Sequence, residues 1–254
     1  MITAGLDCGS KTVKVVVVKD GKIVGKALVP AGVDAAEAAE QAYDEALKQA
    51  RLARKDVQKV YATGSGKDQA AFRNEVITEV GADARGAVFL FPKARTVVDV
   101  GAEEGRAIRV DERGKVVDFA INEKCAAGAG AFVEAMARAL EVKLDEMGPL
   151  SLQSSKSVPM NAQCAVFAES ELVSLVHAKT AKPDMARAIH DAISDRIVSM
   201  VRRVGLEPEV VLIGGVGRNV GFVQALGRGL EMEVKLPADP EFVGAIGAAL
   251  VAAD

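Results

Sequence analysis

Three glycine turns and two isolated thiols hold the residues whose types and spacing could do chemistry. In Asp7-Cys8-Gly9-Ser10-Lys11-Thr12 a carboxylate ends an apolar run and a glycine opens the turn. The amides of such a turn can face phosphate oxygens, a hydroxyl adds a donor, and the carboxylate reaches Mg2+ or its bound water. Asp99-Val100-Gly101 repeats the device. Ile213-Gly214-Gly215-Val216 ends a further apolar run in paired glycines, which let a flat ligand approach the backbone. Cys125 and Cys164 each follow an Asn-Xaa-Xaa-Cys approach and precede a helical pattern. A helix N-terminus favours thiolate over thiol. Two thiols are too few for an iron–sulfur cluster, which needs four, so a second chain would have to supply the rest. Taken singly, each turn is what any hairpin demands, and each cysteine reads first as a small buried hydrophobe, the commonest role of a free thiol.

The elements that must position these residues come in a repeated order. Residues 2–30 read as strand, tight turn, valine-rich strand, hairpin turn at Asp20-Gly21 and a third strand; residues 96–122 repeat the unit, with a hairpin turn at Arg113-Gly114. Asp34 to Arg54 reads as a helix capped by Asp34, 57–65 as a strand running into a glycine turn, 68–79 as a helix and Ala87–Phe91 as a short buried strand. Helices are expected at 130–141, 165–178, 184–204 and 220–230, a strand at 233–237, and a small-residue helix at the C-terminus. An internal duplication of this kind implies an α/β protein with mixed sheets in two similar lobes and a cleft between them. The expected division is 1–92 with 238–254, and 93–237.

Composition narrows the function classes. A net charge of -3, 4% aromatic residues and no Trp argue against a nucleic-acid partner. The first residues, MITAGLDCGSKTVKVVVV, place an acid and a glycine where a signal peptide needs an apolar core, and no later apolar run approaches membrane-spanning length. A cytoplasmic protein with no membrane partner is expected, and three cysteines there argue against a disulfide framework. Gly64-Ser65-Gly66-Lys67 has the look of a Walker loop, but Tyr61 stands at the first glycine position and Asp68 where Ser or Thr should be, so it reads as a turn. His177 and His190 read as surface or packing histidines, and Glu169 and Glu171 as first-turn carboxylates of their helix.

The three turns together resemble the phosphate-1, phosphate-2 and adenosine motifs of the acetate kinase, sugar kinase, Hsp70 and actin superfamily. Gly244-Ala245-Ile246-Gly247 resembles its second connecting motif. The resemblance implies two ribonuclease-H-like lobes with an interlobe ATP cleft. It assigns Asp7 and Asp99 to catalysis with Mg2+, and Gly9, Ser10, Lys11, Thr12, Gly101, Gly214, Gly215, Val216, Gly244 and Gly247 to ATP/ADP binding.

NEKCAAGAGAFVE and CAVFAESE, with those motifs, closely resemble the ATPase components of the benzoyl-CoA reductase and 2-hydroxyacyl-CoA dehydratase systems. By that resemblance Cys125 and Cys164 are ligands of a [4Fe-4S] cluster shared between two subunits, and Cys8 is a small filler. ATP hydrolysis would drive a low-potential electron, taken from a ferredoxin-type donor, into a catalytic partner. Dehydratase activators read DIGGQD at the second phosphate turn and carry a Cys-His pair in the preceding helix; this chain has Asp99-Val100-Gly101-Ala102-Glu103-Glu104 and Ala82-Asp83. With EMGPLSLQS, these departures look more like the D-type ATPase subunit of benzoyl-CoA reductase, paired with a related ATPase subunit in a pseudo-twofold heterodimer and docking on the catalytic reductase subunits. A homodimeric dehydratase activator is the alternative. A cluster-free small-molecule kinase and a nucleotide-gated assembly module are the readings from other classes.

Overall fold

A computed structural model describes residues 1–122, 129–160 and 165–254. Contacts group them into two compact units: Met1–Arg95 with Val110–Val117 and Pro237–Asp254, and Thr96–Arg109 with Asp118–Leu236.

In the first unit, β1 (Ile2–Cys8), β2 (Thr12–Lys19) and β3 (Lys22–Pro30) form an antiparallel meander. Its second turn has positive φ at both Asp20 (49°) and Gly21 (75°), the conformation whose twist suits a two-residue hairpin. Helix α1 (Ala35–Ala50) starts where the Asp34 carboxylate accepts from the amides of Ala36 and Glu37. Strand β4 (Lys59–Thr63) returns parallel to β1, and the short β5 (Glu75–Val76) lies parallel to β4. The sheet order is β3-β2-β1-β4-β5. Leu6, Val15 and Val17 pack with Ala39, Ala42 and Leu47 of α1 as the core of this unit.

Residues 68–91 depart from the expected helix-then-strand. A short 3-10 turn occupies Lys67–Gln69, and α2 runs from Glu79 to Leu90, capped by Thr78. The polar stretch after Asp68 is held as a turn by Arg73, whose guanidinium donates to the Asp68 carboxylate and to the carbonyls of Asp68 and Ala70, each at 3.0 Å. The apolar run at 87–91 is mostly the end of a helix, because short apolar runs carry no period that separates a buried strand from a buried helix. Helix α2 packs against the C-terminal helix, Val243–Val251, at a very close crossing: a Cβ on Gly247 would lie 1.8 Å from the Ala82 carbonyl oxygen.

The second unit repeats the plan. It is built on β6 (Thr96–Val100), β7 (Gly105–Val110) and β8 (Val116–Asn122), whose connecting hairpin, Val110–Val117, groups with the first unit, then α3 (Gly130–Ala139), α4 (Leu144–Ser151), α5 (Ala165–His177) and α6 (Lys182–Val204). Strand β9 (Val210–Ile213), α7 (Val220–Leu230) and β10 (Val234–Lys235) complete it. The order β10-β9-β6-β7-β8 is the first sheet's order with β6 in the place of β1. Strand β6 is buried at every residue, which explains its unbroken valine-rich run. Ile189, Ile193 and Ile197 of α6 meet Phe132 and Met136 of α3 and Phe222 of α7 in the core, each contributing about 1.5–3 kcal/mol by burial. Helix α4, absent from the expected elements, contains Pro149. Among the described residues no helix is long and apolar enough to cross a membrane.

Replacing Gly247 by Ala should force α2 and the C-terminal helix apart and cost about 1–3 kcal/mol or more by overpacking, seen as a lower urea midpoint by circular dichroism.

Candidate functional site

The first turn is closed by the Gly9 amide donating to the Thr12 carbonyl at 3.1 Å. Asp7 and Lys14 are cross-strand partners in the β1/β2 register, and Lys14 Nζ donates to Asp7 Oδ2 at 3.0 Å. Ser10 and Lys11 are exposed at the turn's edge. The Gly64-Ser65-Gly66-Lys67 run is a turn docked on this one: the Gly66 amide donates to the Cys8 carbonyl at 2.8 Å. Gly64 has φ +89°, and a Cβ there would lie 2.7 Å from Asp7 Oδ1. Burial first, and the Asp7 carboxylate second, push the Cys8 thiol up to about 12, which suits an inert filler. Gly244 stands on the other side of Asp7: its Cβ would lie 3.8 Å from Asp7 Oδ2. Gly247, by contrast, serves the helix crossing.

The second turn repeats this arrangement. Asp99 and Arg106 are cross-strand partners in β6/β7, and Arg106 Nη1 donates to Asp99 Oδ2 at 2.6 Å. The same guanidinium also pairs with Glu104 through Nη2, and the Gly101 amide donates to the Glu104 carbonyl at 2.9 Å. In both units the turn carboxylate therefore meets a cation seven residues on, directly across the hairpin. Lys14 and Arg106 escaped the sequence reading; the signal that finds them is the register of the strand pair, not a motif.

The third turn stacks on the second. Gly214, at φ +84°, has room for no side chain: a Cβ would lie 2.3 Å from Asp99 Oδ1. Gly215 has no heavy atom within 4 Å of its side-chain position, so its backbone faces open space. Helix α7 follows, capped by Asn219, whose Oδ1 accepts from the amides of Gly221 (3.0 Å) and Phe222 (3.2 Å). With that oxygen engaged, Asn219 Nδ2 is the donor to His190 Nε2 at 2.9 Å, which requires a neutral imidazole protonated at Nδ1. His190 is fully buried, and burial is the main cause that lowers its pKa to about 4. It is a packing histidine that orients the cap behind the glycine turn.

The second and third turns meet at the start of α3. The amide of Gly130 donates to the Gly101 carbonyl at 2.9 Å, and that of Ala131 to the Ala102 carbonyl at 2.8 Å. A Cβ on Gly130 would lie 3.1 Å from Val216 Cγ2. Cys125 stands five residues before Gly130 in sequence; both Cys125 and Cys164 lie outside the described residues. Helix α5, which begins at the residue after Cys164, packs against α3. His177 and Glu169 are exposed on α5, and among the described residues no group of three or more His, Cys, Asp or Glu could hold a metal ion. The structure thus gathers Asp7, Gly9 and Gly244 in the first unit, and Asp99, Gly101, Gly214 and Val216 in the second.

The model of the BadF/BadG/BcrA/BcrD ATPase family matches residues 4–252. The activator of lactoyl-CoA dehydratase of Anaerotignum propionicum is 38% identical over 253 residues, spanning 99% of this chain and 97% of that protein. A benzoyl-CoA reductase subunit of Thauera aromatica is 37% identical over 260 residues, spanning 98% and 92%. The solved activator of the 2-hydroxyisocaproyl-CoA dehydratase from Clostridium difficile, with bound ADPNP, superposes with a TM-score of 0.92 at 36% identity over 99% of this chain and 94% of that one. A ROK family glucokinase from Streptomyces griseus, at 16% identity and TM-score 0.60 over 100% and 99% of the two chains, shares the fold alone. The fold is that of the acetate and sugar kinase, Hsp70 and actin superfamily.

Because the His190 pKa is lowered on folding, the unfolded chain takes up this proton first. Its contribution is complete above about pH 6.5 and is lost as the pH falls from there through 4, up to roughly 3 kcal/mol. His190→Gln keeps an acceptor for Asn219 but cannot titrate, so its urea midpoint should fall less than the wild-type midpoint between pH 7 and 4.

Proposed function

The chain belongs to the BadF/BadG/BcrA/BcrD ATPase family, and on that premise we propose that it is an ATP-hydrolysing activator that passes low-potential electrons to an acyl-CoA enzyme. The observation that carries this reading is the junction at Gly130. The turn after Asp99 is hydrogen-bonded to the first amides of α3, and the chain before α3 leads back to Cys125.

In this reading the first unit's turn offers the amides near Gly9, with Ser10 and Thr12, to phosphate oxygens of Mg-ATP, the second unit's turn offers those near Gly101, and Asp7 and Asp99 are the carboxylates each turn presents to the metal's waters. Gly214 to Val216 take the adenosine, with Gly215 offering the open backbone. Cys125 and Cys164, with the same pair from a second copy or a related subunit, are the ligands of a [4Fe-4S] cluster, which when bound supplies the electron. A shift of the Gly101–Ala102 carbonyls on nucleotide binding or hydrolysis moves the start of α3 with them, since two hydrogen bonds tie the two. Helix α3 then reorients the Cys125 arm and α5, whose exposed Phe167, Val173 and Val176 offer an apolar contact face.

A dehydratase of 2-hydroxyacyl-CoA thioesters is the partner we favour, supported by the near-complete length match to relatives named as activators of such enzymes. Benzoyl-CoA reductase is the second reading, supported by the Thauera aromatica relative and by the turn Ala102-Glu103-Glu104.

The test is anaerobic purification of the wild type, Cys125→Ala and Gly215→Ala, followed by iron analysis and ATP-dependent reduction of each candidate partner. Cys125→Ala should lose the iron and the electron transfer. Gly215→Ala should keep both fold and iron, because nothing crowds that position, and lose nucleotide affinity. Normal ATP-driven reduction by Cys125→Ala would sink the proposal, and reduction of only one partner decides between the two acyl-CoA enzymes.

A further inference from the structure

One buried group of the first unit has no part in the reading above. Asp83, on α2, is 6% exposed, and its Oδ1 lies 3.1 Å from the point where a Cβ on Gly244 would stand. Asp7 Oδ2 lies 3.8 Å from the same point, and outside the glycine's own helix these two side chains are the nearest to it. Two carboxylates therefore flank a backbone position that carries no side chain. Thr63 stands beside Asp7 on the neighbouring strand. It is the parallel-register partner of Asp7, so the two side chains rise from one face of the sheet. Thr63 is 1% exposed, and its hydroxyl has no hydrogen-bond partner.

A buried hydroxyl left in that state carries an uncompensated desolvation cost unless a bound species completes it. Carboxylates and a hydroxyl are hard oxygen donors, the kind that holds Mg2+ while the ion keeps several of its waters. We infer that Asp83 and Thr63 complete a divalent-cation site on Asp7, their oxygens accepting hydrogen bonds from the waters of a magnesium-class ion. The inference rests on the nucleotide reading and extends it: Asp83 sets the metal requirement, and the glycine turns set the nucleotide affinity. Gly244 is needed here because any side chain would stand where those waters must sit. Lys14 Nζ donates to Asp7 Oδ2 at 3.0 Å, so a positive group already stands at this carboxylate.

The experiment is a Mn2+ titration, read by the EPR signal of free Mn2+, with and without ADP, alongside ADP binding in the absence of metal. Asp83→Asn should weaken Mn2+ binding about ten- to hundredfold, the usual effect of losing a partner of the metal's bound ligands, and shift metal-free ADP binding far less. Thr63→Val should also weaken Mn2+ binding while leaving the thermal midpoint of the metal-free protein unchanged or higher, since it removes only an unpartnered hydroxyl. If both variants bind Mn2+ as the wild type does, the inference is overturned. Should Asp83→Asn fail to fold, Thr63→Val decides alone. A wild type whose Mn2+ binding depends on Asp83 but which binds no ADP would overturn the nucleotide reading and leave the cation site standing.

Discussion

The pair of hydrogen bonds from the amides of Gly130 and Ala131 to the carbonyls of Gly101 and Ala102 ties the start of a helix to the glycine turn after Asp99. The first amides of any helix lack partners inside it, and they are commonly met by a side-chain cap. Here no side chain caps α3; the neighbouring turn does so with its own backbone. Backbone capping leaves no rotamer between the two elements, so displacement of one is transmitted as displacement of the other. The close fit against Val216 leaves little room for a side chain at 130 and sets the third turn against the same helix start.

The duplication is chemical as well as topological, and its two halves are not equal. Asp7 and Lys14 keep side-chain exposures of 20% and 13%, whereas Asp99 and Arg106 are each 10% exposed and Arg106 is shared with Glu104. An arginine fork held by two carboxylates is far more rigid than a lysine on one, because its planar donors match both acceptors at once. The first turn is thus the more open to an incoming ion, and the second is locked in the geometry that α3 requires. A buried ion pair of this kind contributes little net stability compared with an apolar replacement, yet losing one partner costs about 3–5 kcal/mol, which is a reason to read it as a positional device.

Much of this was legible in the sequence. The meander turns announce themselves through Asp20-Gly21 and Arg113-Gly114, the duplication through its repeated strand order, and α6 through its apolar period. The glycine turns were found because close backbone approach leaves a residue-type signature. The stretch from 68 to 91 was misread because the period of α2 is blurred: it is small and apolar on several faces, with Val80, Ala82, Ala84 and Ala87 all buried. That error hid Asp83, whose place beside Gly244 follows only once α2 is known to be a helix. Lys14, Arg106 and Thr63 were hidden for a different reason, since their roles depend on which residue stands opposite in a neighbouring strand, and register is a property of pairs of segments.

The packing that holds the first unit together is also what shapes its carboxylate cluster. Thr3, Gly5 and Asp7 alternate along one face of β1, and this face lies against the C-terminal helix. Gly5 admits the helix backbone, since a Cβ there would lie 2.0 Å from the Ala245 carbonyl oxygen, and the Thr3 hydroxyl donates to the Ala249 carbonyl at 2.7 Å. With the helix seated that closely on β1, its first turn delivers Gly244 to Asp7, and the crossing at Gly247 brings α2 and Asp83 alongside. Each small residue gives up apolar contact area that a larger one would have supplied. The gain is positional: three secondary elements from distant parts of the chain converge on one aspartate with their backbones, not their side chains, fixing the distances.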